Sequence, residues 1–192
     1  MKLKLTLFLF AVFNCGPSFA SWSLDNDASQ VSFVSVKAGD AGEVHRFTEL
    51  SGNVSGDGDA TITIQLASVD TLIPIRDERM REMLFETEIF PTASLTTKID
   101  MAVLGAIEPG TSVDMVAELM LDLRGKQVPL TAEMIVGRLG THRLLVSSKK
   151  PVIVNAASVD LAEGVEALRE IANLPSISKA VPVSFVLSFN ED

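Results

Sequence analysis

The chain contains no tyrosine, one tryptophan, one cysteine and two histidines in 192 residues. So few soft ligands exclude a zinc cage or an iron–sulfur cluster, and no metal site is expected. Basic residues are also scarce. Sixteen Lys and Arg against 25 Asp and Glu leave a net charge of −9. Such a surface repels phosphate backbones, so no nucleic-acid partner is expected. No Gly-x-Ser-x-Gly elbow occurs, and nothing in the sequence sets a serine and an oxyanion hole beside His45 or His142. The reading is therefore of a protein that is not an enzyme, with no catalytic residue and no cofactor. What remains is apolar: 47% hydrophobic and only 21% charged residues make a core-forming chain long enough for one ordinary domain.

The first twenty residues read as a secretory signal. Lys2 and Lys4 give the positive start, Leu5 to Phe13 the apolar run, and Ser18-Phe19-Ala20 a small-x-small cleavage site. The run is about half the ~20 residues that span a bilayer. Cys15 suggests lipidation, but Phe13 and Asn14 stand where lipoprotein signals carry small residues, which favours cleavage after Ala20. The expected location is the periplasm. Cleavage removes the only cysteine and two lysines, so the mature domain, 21–192, is two charges more negative. It can form no disulfide and must be held by packing alone.

From Trp22 onward the sequence alternates with a period of two. Met115, Ala117, Leu119, Leu121 and Leu123 are apolar, whereas Asp114, Glu118, Asp122 and Arg124 are charged. Val128 to Val136 and Val181 to Phe189 repeat the pattern. One dry face and one wet face is the behaviour of antiparallel strands. Turns are marked by Gly56-Asp57-Gly58-Asp59, Glu108-Pro109-Gly110 and Arg124-Gly125-Lys126. Strands are expected near 22–25, 30–37, 44–54, 60–67, 92–100, 113–123, 126–136, 142–154 (broken at Pro151) and 181–189. Helices are expected at Arg76 to Leu84 and at Leu161 to Ala172, where Leu161, Val165, Leu168 and Ala172 recur at helical spacing. About eight such strands must stack as a sandwich or close into a barrel, and an eight-stranded barrel can hold one small ligand. Met101, Met115, Met134, Phe185 and Phe189 are long, flexible inward candidates. Alternation alone does not distinguish a ligand cavity from an interior filled by these side chains.

Leu66-Ala67-Ser68-Val69-Asp70-Thr71, then Ile75-Arg76-Asp77-Glu78-Arg79-Met80-Arg81, Leu84-Phe85 and Phe90-Pro91-Thr92-Ala93, form an ordered series. It resembles the YceI-like lipid-binding family. Trp22-Ser23-Leu24-Asp25 with Ser29-x-Val31-x-Phe33 is similar to that family's opening strand, and Leu123-Arg124-Gly125-Lys126-Gln127-Val128-Pro129-Leu130 to a later hairpin. Val44-His45-Arg46-Phe47 replaces a common Gly-x-Phe segment, and a helix follows Val152-Ile153-Val154-Asn155 where many members carry an Arg…Asp-Phe-Gly-like segment. The resemblance implies a mainly all-β, lipocalin-like closed antiparallel barrel of about eight strands with two short helices. It further implies a secreted binding protein for a polyisoprenoid, an isoprenoid quinone or a similar long-chain lipid. A homodimer is a feature of many members, and a membrane b-type cytochrome is a partner by analogy only.

The expected cavity lining is Phe33, Phe47, Ile64, Leu66, Met115, Leu119, Met134 and Phe185. Arg76 and His45 are candidates for a lipid head group, since a guanidinium suits bidentate oxygen recognition. For the Arg76–Arg81 cluster the plainer reading is a helix-surface pair, Asp77 with Arg81 at i,i+4. The competing functions are a structural or adaptor barrel with a filled interior, and a lipid- or quinone-modifying enzyme using His45 with Arg76 or Asp77.

Overall fold

A computed structural model describes residues 21–192; the signal segment Met1 to Ala20, with Cys15, lies outside the described residues. Among the described residues, eleven strands and three α-helices follow one another. The first five strands are β1 (Trp22–Lys37), β2 (Ala41–Phe47), β3 (Leu50–Val54), β4 (Asp59–Gln65) and β5 (Val69–Asp70). Helix α1 (Pro74–Arg79) widens into a π-helical turn, Met80–Phe85. Then come β6 (Thr92–Lys98), α2 (Met101–Gly105), β7 (Ser112–Leu123) and β8 (Lys126–Arg138). The chain ends with β9 (Arg143–Ser148), β10 (Val152–Asn155), α3 (Ala162–Ile171) and β11 (Ala180–Glu191).

Eight strands close a barrel in the order β1-β3-β4-β6-β7-β8-β9-β11, with β11 returning to β1, every neighbour antiparallel. The β1–β11 seam runs from Trp22↔Glu191 to Asp25↔Ser188 and resumes at Gln30↔Val186. Between them β1 carries a large bulge, which lets one strand change neighbours. Before the bulge Trp22 and Ser23 pair with β3; after it Val31 to Lys37 pair with β2. Asn26 fills the fork. Its amide nitrogen donates to the Thr48 carbonyl (3.2 Å) and its oxygen accepts from the Leu50 amide (2.7 Å). These groups would otherwise face each other unpaired where β2 stops and β3 begins. The strand expected over 44–54 is therefore two strands, and those expected at 22–25 and 30–37 are one.

The tail of β1 with β2, and the start of β11 with β10, extend the wall beyond the barrel at one end. The break at Pro151 falls between β9 and β10 as expected. Arg124 and Gly125 both take positive φ (52° and 71°) in the two-residue β7–β8 turn, matching the right-handed twist of the hairpin.

The helices close the ends. α2 was not expected; its residues fall between the strands expected at 92–100 and 113–123. Asp100 caps it, its carboxylate accepting from the Ala102 amide at 2.9 Å. Met101 and Leu104 are then buried at the closed end with Ile107, so Met101 packs from a helix and not from a strand. At the other end α1 starts two residues earlier than expected because Pro74 occupies its first turn, where a missing N–H costs nothing. Asp77 does not pair with Arg81: its carboxylate accepts from the Thr71 amide (2.9 Å) and hydroxyl (2.5 Å), while Arg81 donates to the Ala67 carbonyl (3.3 Å). The π turn buries Met80, Leu84 and Phe85. Arg124 pins it from outside, donating to the Leu84 carbonyl and to Glu86 (both 3.0 Å) and lying over the Phe90 ring.

α3, flanked by Leu161 and Ala172 as expected, lies across the π turn at Gly164. A Cβ there would sit 2.8 Å from the Met83 carbonyl oxygen and 2.9 Å from the Leu84 Cα. Both obstacles are backbone, so the helix itself must move. Gly164→Val is expected to lower stability by about 1–3 kcal/mol, measured as a reduced urea midpoint at unchanged slope.

Candidate functional site

The inner faces of the eight strands do not meet. They surround a lumen of about 460 Å³, whose wall is mostly apolar and carries its charged groups in one patch. All eight residues expected to line a cavity face it: Phe33, Phe47, Ile64, Leu66, Met115, Leu119, Met134 and Phe185. Period two accounts for seven of them, each on the strand parity that points inward; Leu66 opens the 3-10 turn that follows β4. Val165, Leu168 and Ile171 of α3 and Met80, Leu84 and Phe85 of the π turn complete the lining at the lidded end. Four rings form a continuous run along one side, from His45 to Phe33 (centroids 5.3 Å), Phe47 (5.4 Å) and Phe85 (5.7 Å).

The polar patch lies where β1 and β2 extend beyond the barrel. On β1, Val31, Phe33, Ser35 and Lys37 share the inward face; opposite them on β2 stand Phe47, His45, Glu43 and Ala41. Arg76 and His45, the two head-group candidates, meet here, together with Arg79. The Arg76 guanidinium pairs with Glu43 and donates to the Thr71 carbonyl (2.8 Å). Glu43 also holds Lys37 Nζ at 2.8 Å. His45 is only 4% exposed, with Nε2 at 2.9 Å from the Ser35 hydroxyl. His142, by contrast, is exposed, with Nδ1 2.8 Å from a Glu191 carboxylate oxygen.

Two buried nitrogens in this patch have no hydrogen-bond partner, His45 Nδ1 and Arg76 Nε. An unsatisfied buried polar group costs about 1–3 kcal/mol. In a wall otherwise built mostly from Val, Leu, Ile, Met, Ala and Phe, this patch is the place suited to a ligand's polar end. Ser35, Lys37 and Glu43 were missed by the sequence reading, although the signal was present: they share the parity of Phe33 and Phe47 on strands whose apolar inward residues run out.

Burial holds the His45 imidazole below its ordinary value, and the neighbouring Arg76 charge pushes it the same way. Glu43 is held below the usual carboxylate range, first by its bond to Lys37 and then by Arg76.

The YceI-like domain family matches residues 22–189. A solved structure described as a polyisoprenoid binding domain from Saccharophagus degradans, implicated in plant cell wall breakdown, is 38% identical. The similarity covers 90% of this chain and 99% of that one, with a TM-score of 0.88. BcnA of Burkholderia cenocepacia is similar in fold at 19% identity, over 86% of this chain and 98% of that one, with a TM-score of 0.66. The Campylobacter jejuni YCEI protein aligns at 16% identity over 77% of this chain and 84% of its own, with a TM-score of 0.52. No curated protein matches the chain.

A histidine whose folded-state value is lowered makes the unfolded state bind more protons at mildly acid pH. His45 therefore contributes a loss of stability as pH falls below about 6.5, the unperturbed imidazole value. Glu43 acts with the same sign but only in the lower carboxylate range. The expected outcome is that the drop in Tm between pH 7.5 and 5.5 is smaller in His45→Gln than in the wild type.

Proposed function

This chain belongs to the YceI-like domain family, and on that footing we propose that it is a periplasmic carrier that sequesters a long-chain apolar ligand inside its barrel. The observation that carries the reading is the hollow, oily lumen. Every 100 Å² of apolar ligand surface taken from water contributes about 2.5 kcal/mol, so a long chain gains useful affinity from burial alone. A polyisoprenoid, an isoprenoid quinone or a similar lipid suits such a wall, and the 38% identical relative is described as polyisoprenoid-binding. The tail lies along Phe33, Phe47, Ile64, Leu66, Met115, Leu119, Met134 and Phe185, and the head lies at Arg76 and His45. Export with removal of Met1 to Ala20 delivers the domain to the periplasm. An interior filled by its own side chains would have favoured an adaptor role; the open lumen favours cargo.

Native mass spectrometry of protein purified from the periplasm tests the proposal. The expected result is a mass increment that organic extraction releases as lipid. Leu119→Trp, which fills the lumen without adding charge, is expected to lower lipid occupancy at least tenfold while the protein still melts cooperatively. Protein that is ligand-free as purified and refuses isoprenoid quinones and isoprenyl phosphates would overturn the carrier reading.

A further inference from the structure

Charges that reach the lumen wall are all of one sign. Lys37, Arg76 and Arg79 line it, and among the described residues no Asp or Glu does. This runs against the composition, in which acidic residues outnumber basic ones 25 to 16. Two carboxylates lie beside them. Glu43, on the same face of the hairpin, pairs with both Lys37 and Arg76 and offsets one of the three positive charges. Asp77, turned onto Thr71, offsets a second. The patch therefore keeps a surplus of positive charge, beside the unpartnered Arg76 Nε and His45 Nδ1.

A neutral carbonyl docked at the patch would leave the surplus uncompensated. A lipid amine would add to it. A carboxylate or phosphate ester offers several acceptor lone pairs and the opposite charge, in a region where low dielectric strengthens the attraction. We infer that the cargo carries an acidic head group, docked against Lys37, Arg76 and Arg79 with its tail in the lumen. This rests on the carrier reading and narrows it from long-chain lipids in general to those that end in an anion.

Binding of matched-tail series at pH 8 tests the inference: a long-chain fatty acid with its alcohol and its amine, and an isoprenyl monophosphate with its alcohol, each displacing a neutral fluorescent probe. The acid or phosphate is expected to bind at least tenfold tighter than its own alcohol, with the amine weakest. A preference in either series supports the inference, and the larger one names the head group. Arg79→Gln is expected to cut the acid-to-alcohol ratio at least threefold, whereas Lys149→Gln, which removes a cation outside the lumen lining, should leave it unchanged. Acid and alcohol agreeing within twofold in both series, or a ratio untouched in both Arg79→Gln and Lys37→Gln, would overturn the acidic head group while leaving the carrier intact. Failure of every lipid to displace the probe would overturn the carrier reading, and this inference with it.

Discussion

Pairing of β1 with β11 closes the sheet, and the rest of the molecule depends on that seam. An open sheet of these strands would bury its apolar face by folding against another layer, and the inward side chains would interdigitate. Closure instead fixes the circumference by strand number, and at eight strands the opposite walls can stand too far apart to touch. The seam is reinforced away from its ladder. Ser29 Oγ accepts from the Ser188 amide (2.9 Å) at the bulge, and Arg143 donates to the Ser188 hydroxyl (2.9 Å). The fully buried Ser188 is thus satisfied from both sides. The bulge is what lets a 16-residue strand serve the closed barrel with one half and the extended wall with the other.

That division has a chemical consequence. Within the barrel proper, the inward parity is almost wholly apolar, as in Ile62, Ile64, Leu121 and Leu123. Beyond the fork the same parity continues on β1 and β2 but the residues change to Ser35, Lys37, Glu43 and His45. One uninterrupted face of one hairpin thus passes from oil to charge. The polar groups are held by one another, Lys37 to Glu43 to Arg76 to Thr71. They stay ordered at the lidded end of the cavity without needing a ligand to position them. Their leftover unpaired nitrogens are the stability cost of keeping that end ready.

The alternation in the sequence made the strands and the facing of the lining residues they carry legible, because a period of two constrains parity tightly and a one-residue slip would wet the whole face. Three features were not legible for distinct reasons. The fork at Asn26 depends on a side chain bonding to backbone more than twenty residues away, which no local pattern records. The π turn at Met80–Phe85 is set by Arg124 and by the close approach of Gly164, both tertiary contacts. α2 is different: Asp100 before an apolar pair is a capping signal that was present in the sequence and was overridden by the β-rich context. For the site, Arg76 and His45 were identifiable by residue type, but their meeting required knowing that β2 lies against β1 while α1 folds back over both.

Hollowness is the least local property of all. The same side chains, Met115, Met134 and Phe185 among them, could fill a narrower barrel or line a wider one, and strand number together with the tilt and stagger of the strands decides which. Here α3 packs across the π turn, with Gly164 lying close against the Met83 carbonyl and the Leu84 Cα, and its Val165, Leu168 and Ile171 line the cavity. A bulkier residue at that crossing could not bring the helix as close, and a shorter π turn could not present Leu84 and Phe85 together. The lumen persists because the lid rests on backbone at its rim. The apolar side chains beneath are then left with unfilled space that water occupies poorly and a hydrocarbon chain occupies well.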